Sequence, residues 1–399
     1  MTAVLVFAIV LLLAVLVSER AECSVLSTAV LFLVAGFVVS DGMLGIVVMS
    51  PNDPAIAVLS ELALFSVLFT DGMRVGLKDL TSAWQLPGRA LFLGLPLTLV
   101  GTALLAHYVA GLPWLASFLL GAVLSPTDPV FAAAIVGREE VPARLRQLLN
   151  VESGLNDGLA LPLVVILLAV AGEGDFHLAS VAGEVMLGVV IGVLVPWTAI
   201  RLERTSFFSA HTTYAPLNAF AIGLLVFALA SITHANVFLA AFAAGITVAT
   251  VGPEVREAFH RFGELLAELL KLAALLVFGA LMSPQFLMEI PWTGYAFAVL
   301  ALLAVRPIAI GIALLGSRLG WREWVTAAWF GPKGFASVVF GLLVFKSGLP
   351  HGDEVFHLTA IVITGSILAH SSSDVLVASW LKANVPPEPA SNEEHDQAF

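Results

Sequence analysis

Hydrophobic positions run in long blocks along this chain, and polar positions gather in the short stretches between them. Each block has roughly the length that a helix needs to cross a bilayer, and no strand-like alternation competes with it. The pattern predicts thirteen spans, at 2–18, 23–40, 54–72, 88–110, 113–136, 148–171, 180–201, 214–232, 234–251, 266–288, 292–316, 323–346 and 354–380. Helices satisfy their own backbone hydrogen bonds in hydrocarbon, so the fold class that follows is an all-α polytopic membrane protein. Composition agrees, with 59% hydrophobic and 12% charged residues, where a soluble domain carries about 25% charged. The opening MTAVLVFAIVLLLAVLVSER lacks a basic start and a clear small-residue cleavage site, and reads as the first span rather than a signal peptide.

The basic residues test this layout. Arg20 follows span 1; Arg74, Lys78 and Arg89 follow span 3; Arg138, Arg144 and Arg146 follow span 5. Arg201 and Arg204 follow span 7; Arg256, Arg261 and Lys271 follow span 9; Arg318 and Arg322 follow span 11. The connections after spans 2, 4, 6, 8 and 10 carry none, and Lys346 alone follows span 12. With Lys382, one side collects 15 of the 18 Lys and Arg residues. The positive-inside rule makes that side cytoplasmic, with the N-terminus outside, the C-terminus inside and the plasma membrane as location.

Charge and cysteine content narrow the function classes. The net charge of −11 lies largely in loops and in residues 383–399, which read as a short, acidic, disordered tail. There is no basic patch for nucleic acid and no Walker motif. The single cysteine, Cys23, excludes an intramolecular disulfide and a cysteine metal cluster. His107, His234 and His370 lack ligand spacing and read as structural or interfacial. Neither a cofactor nor an enzymatic reaction is expected.

What remains is a set of charges inside the hydrocarbon. Arg306 and Lys333 lie within spans, and a cation there costs at least ~2.5–3.5 kcal/mol, so each needs a partner or an aqueous cavity. The acids at depth are Glu61, Asp128, Glu152 and Asp157. At ~1.5 Å per helical residue, Asp128, Asp157, Arg306 and Lys333 all fall roughly 12–15 Å from the inner boundary, near the middle of the bilayer. Glu152 lies closer to that boundary. Two of the spans are also broken. LSPTDPVF puts Pro126 and Pro129 around Thr127 and Asp128, and WFGPKGFAS puts Gly331, Pro332 and Gly334 around Lys333. Proline removes a helical donor and glycine permits an unwound backbone. Gly/Pro-interrupted spans in corresponding places of two halves mark a transporter's midplane site.

With SPTDPV, ESGLNDG, AVRPIAI and GPKGFASVVF in this order, nearly the whole chain resembles the monovalent cation/proton antiporter family, which includes bacterial NhaP proteins and animal sodium/proton exchangers. The resemblance implies that Asp157 binds cation or proton and that Asn156 is its neutral neighbour. Glu152 and Ser153 would contribute around the ion, together with Thr127 and Asp128 of the unwound segment. Asp157, Ser153, Thr127 and Glu152 would be the ligands of Na⁺. Arg306 would hold Glu152 and Asn156. Lys333 stands where many relatives carry Arg; depth pairs it with Glu61, the resemblance with Asp71. The resemblance also implies inverted repeats and a homodimer. Residues 88–172 and 291–382 would form an ion-carrying core, and residues 1–87 and 173–290 a dimerisation scaffold.

A buried carboxylate can be neutralised by a proton or by a cation, and the two compete. Exchange of Na⁺ or Li⁺ for H⁺ by alternating access is the expected function, electroneutral and 1:1, with K⁺/H⁺ antiport as the alternative. Oxygen ligands suit such hard cations. A cation channel would need a fixed filter of oxygen rings. A proton-coupled solute symporter would need a larger polar site.

Overall fold

The computed structural model describes residues 1–21, 28–50, 53–74, 85–128, 141–172, 178–205 and 214–382. Pro129, Lys78, Arg138, Cys23 and the tail 383–399 lie outside these residues, so the expectations placed on them have no structural counterpart here.

Among the described residues there are helices and no strands. The described helices that overlie the predicted spans begin with α1 (Thr2–Ala21), α2 (Thr28–Val39), α3 (Pro54–Arg74) and α4 (Gln85–Tyr108). Next come α5 (Trp114–Val123), α6 (Ala143–Ala171), α7 (Leu178–Glu203) and α8 (Ala215–Ile232). Then follow α9 (Val237–Val251), α10 (Pro253–Leu281) and α11 (Trp292–Ala313). Span 12 is two half-helices, α12a (Trp321–Trp329) and α12b (Phe335–Lys346), and α13 is Gly352–Lys382. Seven of the described helices are long and apolar enough to cross a membrane, and α2, α5, α9, α12b and part of α1 are shorter apolar helices.

One boundary differs in a way that matters. The tenth span, expected at 266–288, is a helix that begins at Pro253 and ends at Leu281; a separate short helix, Pro284–Glu289, follows. Its first turns carry Glu254, Arg256, Glu257, Arg261 and Glu264, which hides their helical character from a hydropathy window. Lys271, counted with a loop, is in fact buried within this helix.

The helices pack in two groups. Helices α2, α3, α7, α8, α9 and α10 contact one another extensively, as do α4, α5, α6, α11, α12b and α13. Small residues allow the close crossings that hold membrane helices together. A Cβ on Gly36 would lie 2.1 Å from the Leu276 carbonyl of α10, and one on Gly245 would lie 2.2 Å from the Phe69 carbonyl of α3.

The second group shows its internal repetition in the backbone. Helices α4 and α11 each contain a five-residue π segment, Ala90–Gly94 and Ala301–Val305, and each segment is followed two positions on by a proline, Pro96 or Pro307. Proline has no N–H for the i→i−4 ladder, so the ladder shifts register just before it. In both halves the interrupted helix is followed by one that breaks, α5 and α12a, and then by a long one, α6 and α13.

The basic ends of the helices meet at one end of the molecule. Arg74 of α3 bonds Glu264 of α10, Arg204 donates to the Val251 carbonyl at the end of α9, and Arg89 donates to the Leu315 carbonyl after α11. Arg144 of α6 forms a forked pair with Glu323 of α12a, and Arg322 donates to the Trp380 carbonyl near the end of α13. These contacts join basic residues of the connections after spans 3, 5, 7 and 11 to neighbouring helices or their ends. At bilayer level the outer helix faces are apolar, as Leu5, Leu12 and Leu16 of α1 and Met186, Leu194 and Trp197 of α7 show.

Candidate functional site

Helix α6 presents Glu152, Ser153, Asn156 and Asp157 within six residues, that is, on neighbouring turns of one face. All four are buried, as are Thr127, Asp128, Arg306 and Lys333. The structure brings these eight predicted residues into one region.

Arg306 stands directly after the π segment of α11 and holds Glu152 by two parallel bonds, Nη1 to Oε1 at 2.9 Å and Nη2 to Oε2 at 3.1 Å. Nη2 also donates to the Phe330 carbonyl at the end of α12a, 2.9 Å away. The expected bond from Arg306 to Asn156 is absent. Asn156 instead donates from Nδ2 to both oxygens of Thr127, the hydroxyl at 2.6 Å and the carbonyl at 3.1 Å, while its Oδ1 has no partner among the described residues. Ser153 donates its hydroxyl to the Leu149 carbonyl one turn earlier, at 2.6 Å. Both Glu152 oxygens are thus engaged by Arg306. The oxygens left to face an ion are those of Asp157 and Asn156 and the remaining lone pairs of Thr127 and Ser153.

The two broken segments cross each other. Asp128 donates its backbone N–H to the Pro332 carbonyl at 2.9 Å, and its Oδ2 accepts the Phe335 N–H at 3.3 Å, at the first turn of α12b. Lys333 extends Nζ to the carbonyls of Ser125 and Pro126, both at 3.4 Å, beyond the last turn of α5. Each interruption therefore supplies the counter-charge for the other's exposed helix end, acid at an N-terminus and ammonium at a C-terminus. No side chain fits in the crossing. A Cβ on Gly334 would lie 2.0 Å from the Asp128 Cβ, and one on Gly331 would overlap the Arg306 guanidinium.

This corrects both partners expected for Lys333. Glu61 is exposed on α3 and forms no ion pair with Lys333. Asp71 is buried but pairs with Arg74 of its own helix at 3.1 Å. Depth along a span locates a charge but does not distinguish a carboxylate partner from the carbonyls of a broken helix.

Sequence reasoning missed one residue entirely. Lys271 of α10 is 5% exposed, with Nζ 3.8 Å from Asp128 Oδ1 and 3.3 Å from Glu268 Oε2. A cavity lined by Asp71, Arg74, Asp128, Glu264, Glu268 and Lys271 leads from the basic end of the molecule to this pair. Asp157 itself accepts no hydrogen bond and forms no ion pair with the described residues. Among them there is also no cluster of three His, Cys, Asp or Glu side chains that could hold a metal ion.

His107 and His234 sit elsewhere, whereas His370 adjoins the crossing through Ser366, whose hydroxyl accepts the Lys333 N–H at 2.7 Å and lies 3.2 Å from His370 Nδ1. His370 is buried in α13, donates Nδ1 to the Ser366 carbonyl at 2.8 Å and turns Nε2 toward the Trp329 carbonyl at 3.2 Å. His107 donates Nδ1 to the Leu112 carbonyl at 2.8 Å and stacks on Trp114, and His234 occupies a tight turn at φ 55°.

Known proteins with this sequence pattern and this shape are transporters by name. Residues 6–378 match the model of the family described as "Sodium/hydrogen exchanger, transmembrane". The K(+)/H(+) antiporter NhaP of Alkalimonas amylolytica is 28% identical over 383 residues, covering 94% of this chain and 66% of that protein. The K(+)/H(+) antiporter NhaP2 of Shewanella oneidensis is 26% identical over 393 residues, 96% of this chain and 68% of that protein. The chain thus spans about two thirds of the length of these curated relatives, and less of others. In fold it matches the sodium proton antiporter MjNhaP1 from Methanocaldococcus jannaschii, with a TM-score of 0.74 at 19% identity, covering 96% of this chain and 98% of that one. With its family matched along almost its whole length, the chain belongs to the sodium/hydrogen exchangers.

Proposed function

We propose that the protein is a secondary active antiporter that exchanges a monovalent cation for a proton by alternating access. One observation carries the reading. The carboxylates around the site have cationic partners, Glu152 with Arg306, Asp128 with Lys271 and Asp71 with Arg74, whereas Asp157 has none among the described residues. A buried carboxylate without a resident counter-charge can take a proton or a small cation, and one excludes the other. Helix α6 and the segment after α5 supply oxygen ligands beside it of the kind hard cations prefer.

In this reading residues 88–172 and 291–382 move as the core, and residues 1–87 and 173–290 stay as the scaffold. The denser packing within each group than between them supports that division. The scaffold carries the homodimer contact, for which the apolar exposed faces of α1 and α7 are suited. The basic end faces the cytoplasm across the plasma membrane. Na⁺ is the first candidate for the cation. K⁺ is the second reading, favoured by the K(+)/H(+) names of the Alkalimonas and Shewanella relatives.

The test is cation-driven proton efflux from proteoliposomes loaded with a pH-sensitive dye, run with Na⁺, Li⁺ and K⁺ in turn. Saturable efflux with one or more of these cations is expected. Conductance without coupled proton movement would make the protein a channel, and a requirement for an organic solute would make it a symporter.

A further inference from the structure

Lys271 belongs to the proposed scaffold and Asp128 to the proposed core, so their ion pair bridges the two bodies. At 3.8 Å the contact is too long for a hydrogen bond and holds by charge alone. Each partner also keeps a ligand on its own side. Lys271 Nζ lies 3.3 Å from Glu268, one turn back on the same helix, and Asp128 accepts the Phe335 N–H within the crossing of the core. If the two bodies move apart, neither charge is stranded in the hydrocarbon, where an unpartnered ion would be costly. A contact built this way can release and re-form. The Arg306–Glu152 pair inside the core differs, since it is joined by two short, parallel bonds.

We propose that Lys271 is a releasable tie that holds the core against the scaffold in the conformation described here, and so sets how the protein divides its time between its two access states. This rests on the alternating-access reading above. The cleft beside the pair is lined by Arg74 and Glu264 as well as by Asp128 and Lys271. A ligand or charge that favours one conformation shifts the population only by its differential interaction with the two. Lys271 has that property because its Asp128 contact exists in one arrangement of the bodies and its Glu268 contact in both.

The experiment measures the populations directly. Ile232, 75% exposed at the end of α8, and Ser347, exposed at the end of α12b, are replaced by cysteine for spin labels, with Cys23 changed to Ser. Double electron–electron resonance then gives the scaffold-to-core distance distribution in reconstituted protein. Lys271→Met should lower the ratio of the described conformation to its alternative at least tenfold, and Lys271→Arg should restore it. Lys271→Gln keeps a polar group for Glu268, folds more readily than the apolar variant, and carries the same prediction as Lys271→Met. A distribution unchanged in Lys271→Gln, or an equal shift in Lys271→Arg, would overturn the tie. The same wild-type liposomes are assayed for cation-driven proton efflux. Absence of efflux there overturns the antiport reading, while efflux with unmoved distances overturns the tie alone.

Discussion

At the scale of single residues, the site separates groups that hold the structure from groups that face the ion. Arg306 is of the first kind. It satisfies both oxygens of Glu152 and the terminal carbonyl of α12a. Removing one partner of a buried ion pair leaves the other uncompensated, at a typical cost of about 3–5 kcal/mol. Arg306→Ala should therefore lower thermal stability in detergent as well as abolish activity. Ser153 is of the second kind, since its hydroxyl back-bonds to its own helix and removal strands nothing. Ser153→Ala should weaken cation binding and leave the melting temperature within a degree or two of wild type. A melt that ranks Ser153→Ala below Arg306→Ala would reverse these roles. Lys333 holds no carboxylate, and its point charge suits two carbonyls better than a planar guanidinium would.

At the scale of elements, the crossing of the two interruptions depends on residues without side chains. Gly334→Ala would press a methyl group against the Asp128 Cβ, which belongs to the backbone side of that residue and cannot swing away. The substitution should depress both the melting temperature and exchange. Gly183→Ala in α7, where an added Cβ meets nothing within 4 Å, should change neither and serves as the control. Equal melting curves for the two variants would mean that the crossing is looser than the structure describes. Much of this level was legible beforehand. Apolar block length marked the helices, the Gly/Pro interruptions marked the breaks, and depth along the helices put Asp128, Asp157, Arg306 and Lys333 together. Two things were not. The first turns of α10 are amphipathic and charged, so hydropathy began that span at 266 rather than 253, and Lys271 was counted with the basic connection instead of with the charges at depth. Partners were sought among acids alone, so Lys333 was matched to Glu61 or Asp71 when helix-end carbonyls serve it.

At the scale of the whole molecule, the charges decide the stoichiometry. Glu152, Asp128 and Asp71 each have a cation beside them, and Lys333 Nζ lies against two carbonyls rather than a carboxylate. On the proposed antiport reading, that leaves Asp157 as the carrier, neutral with a proton and neutral with a monovalent cation. Exchange should be electroneutral, one for one. In proteoliposomes whose membrane potential is clamped, the cation gradient that stops net flux at a fixed pH gradient should not move with voltage. A two-proton exchanger would shift it about tenfold per ~59 mV, which would make Asp128 or Lys333 a second proton carrier.

The central claim is that one carboxylate carries cation and proton in turn, and the direct measurement is exchange by purified, reconstituted Asp157→Asn. The substitution keeps the volume of the side chain and removes only its ability to titrate. The account predicts a folded, membrane-inserted protein with wild-type melting behaviour and no cation-driven proton efflux above that of empty liposomes, for Na⁺, Li⁺ and K⁺ alike. Efflux at near wild-type rate, with any of the three, would contradict it.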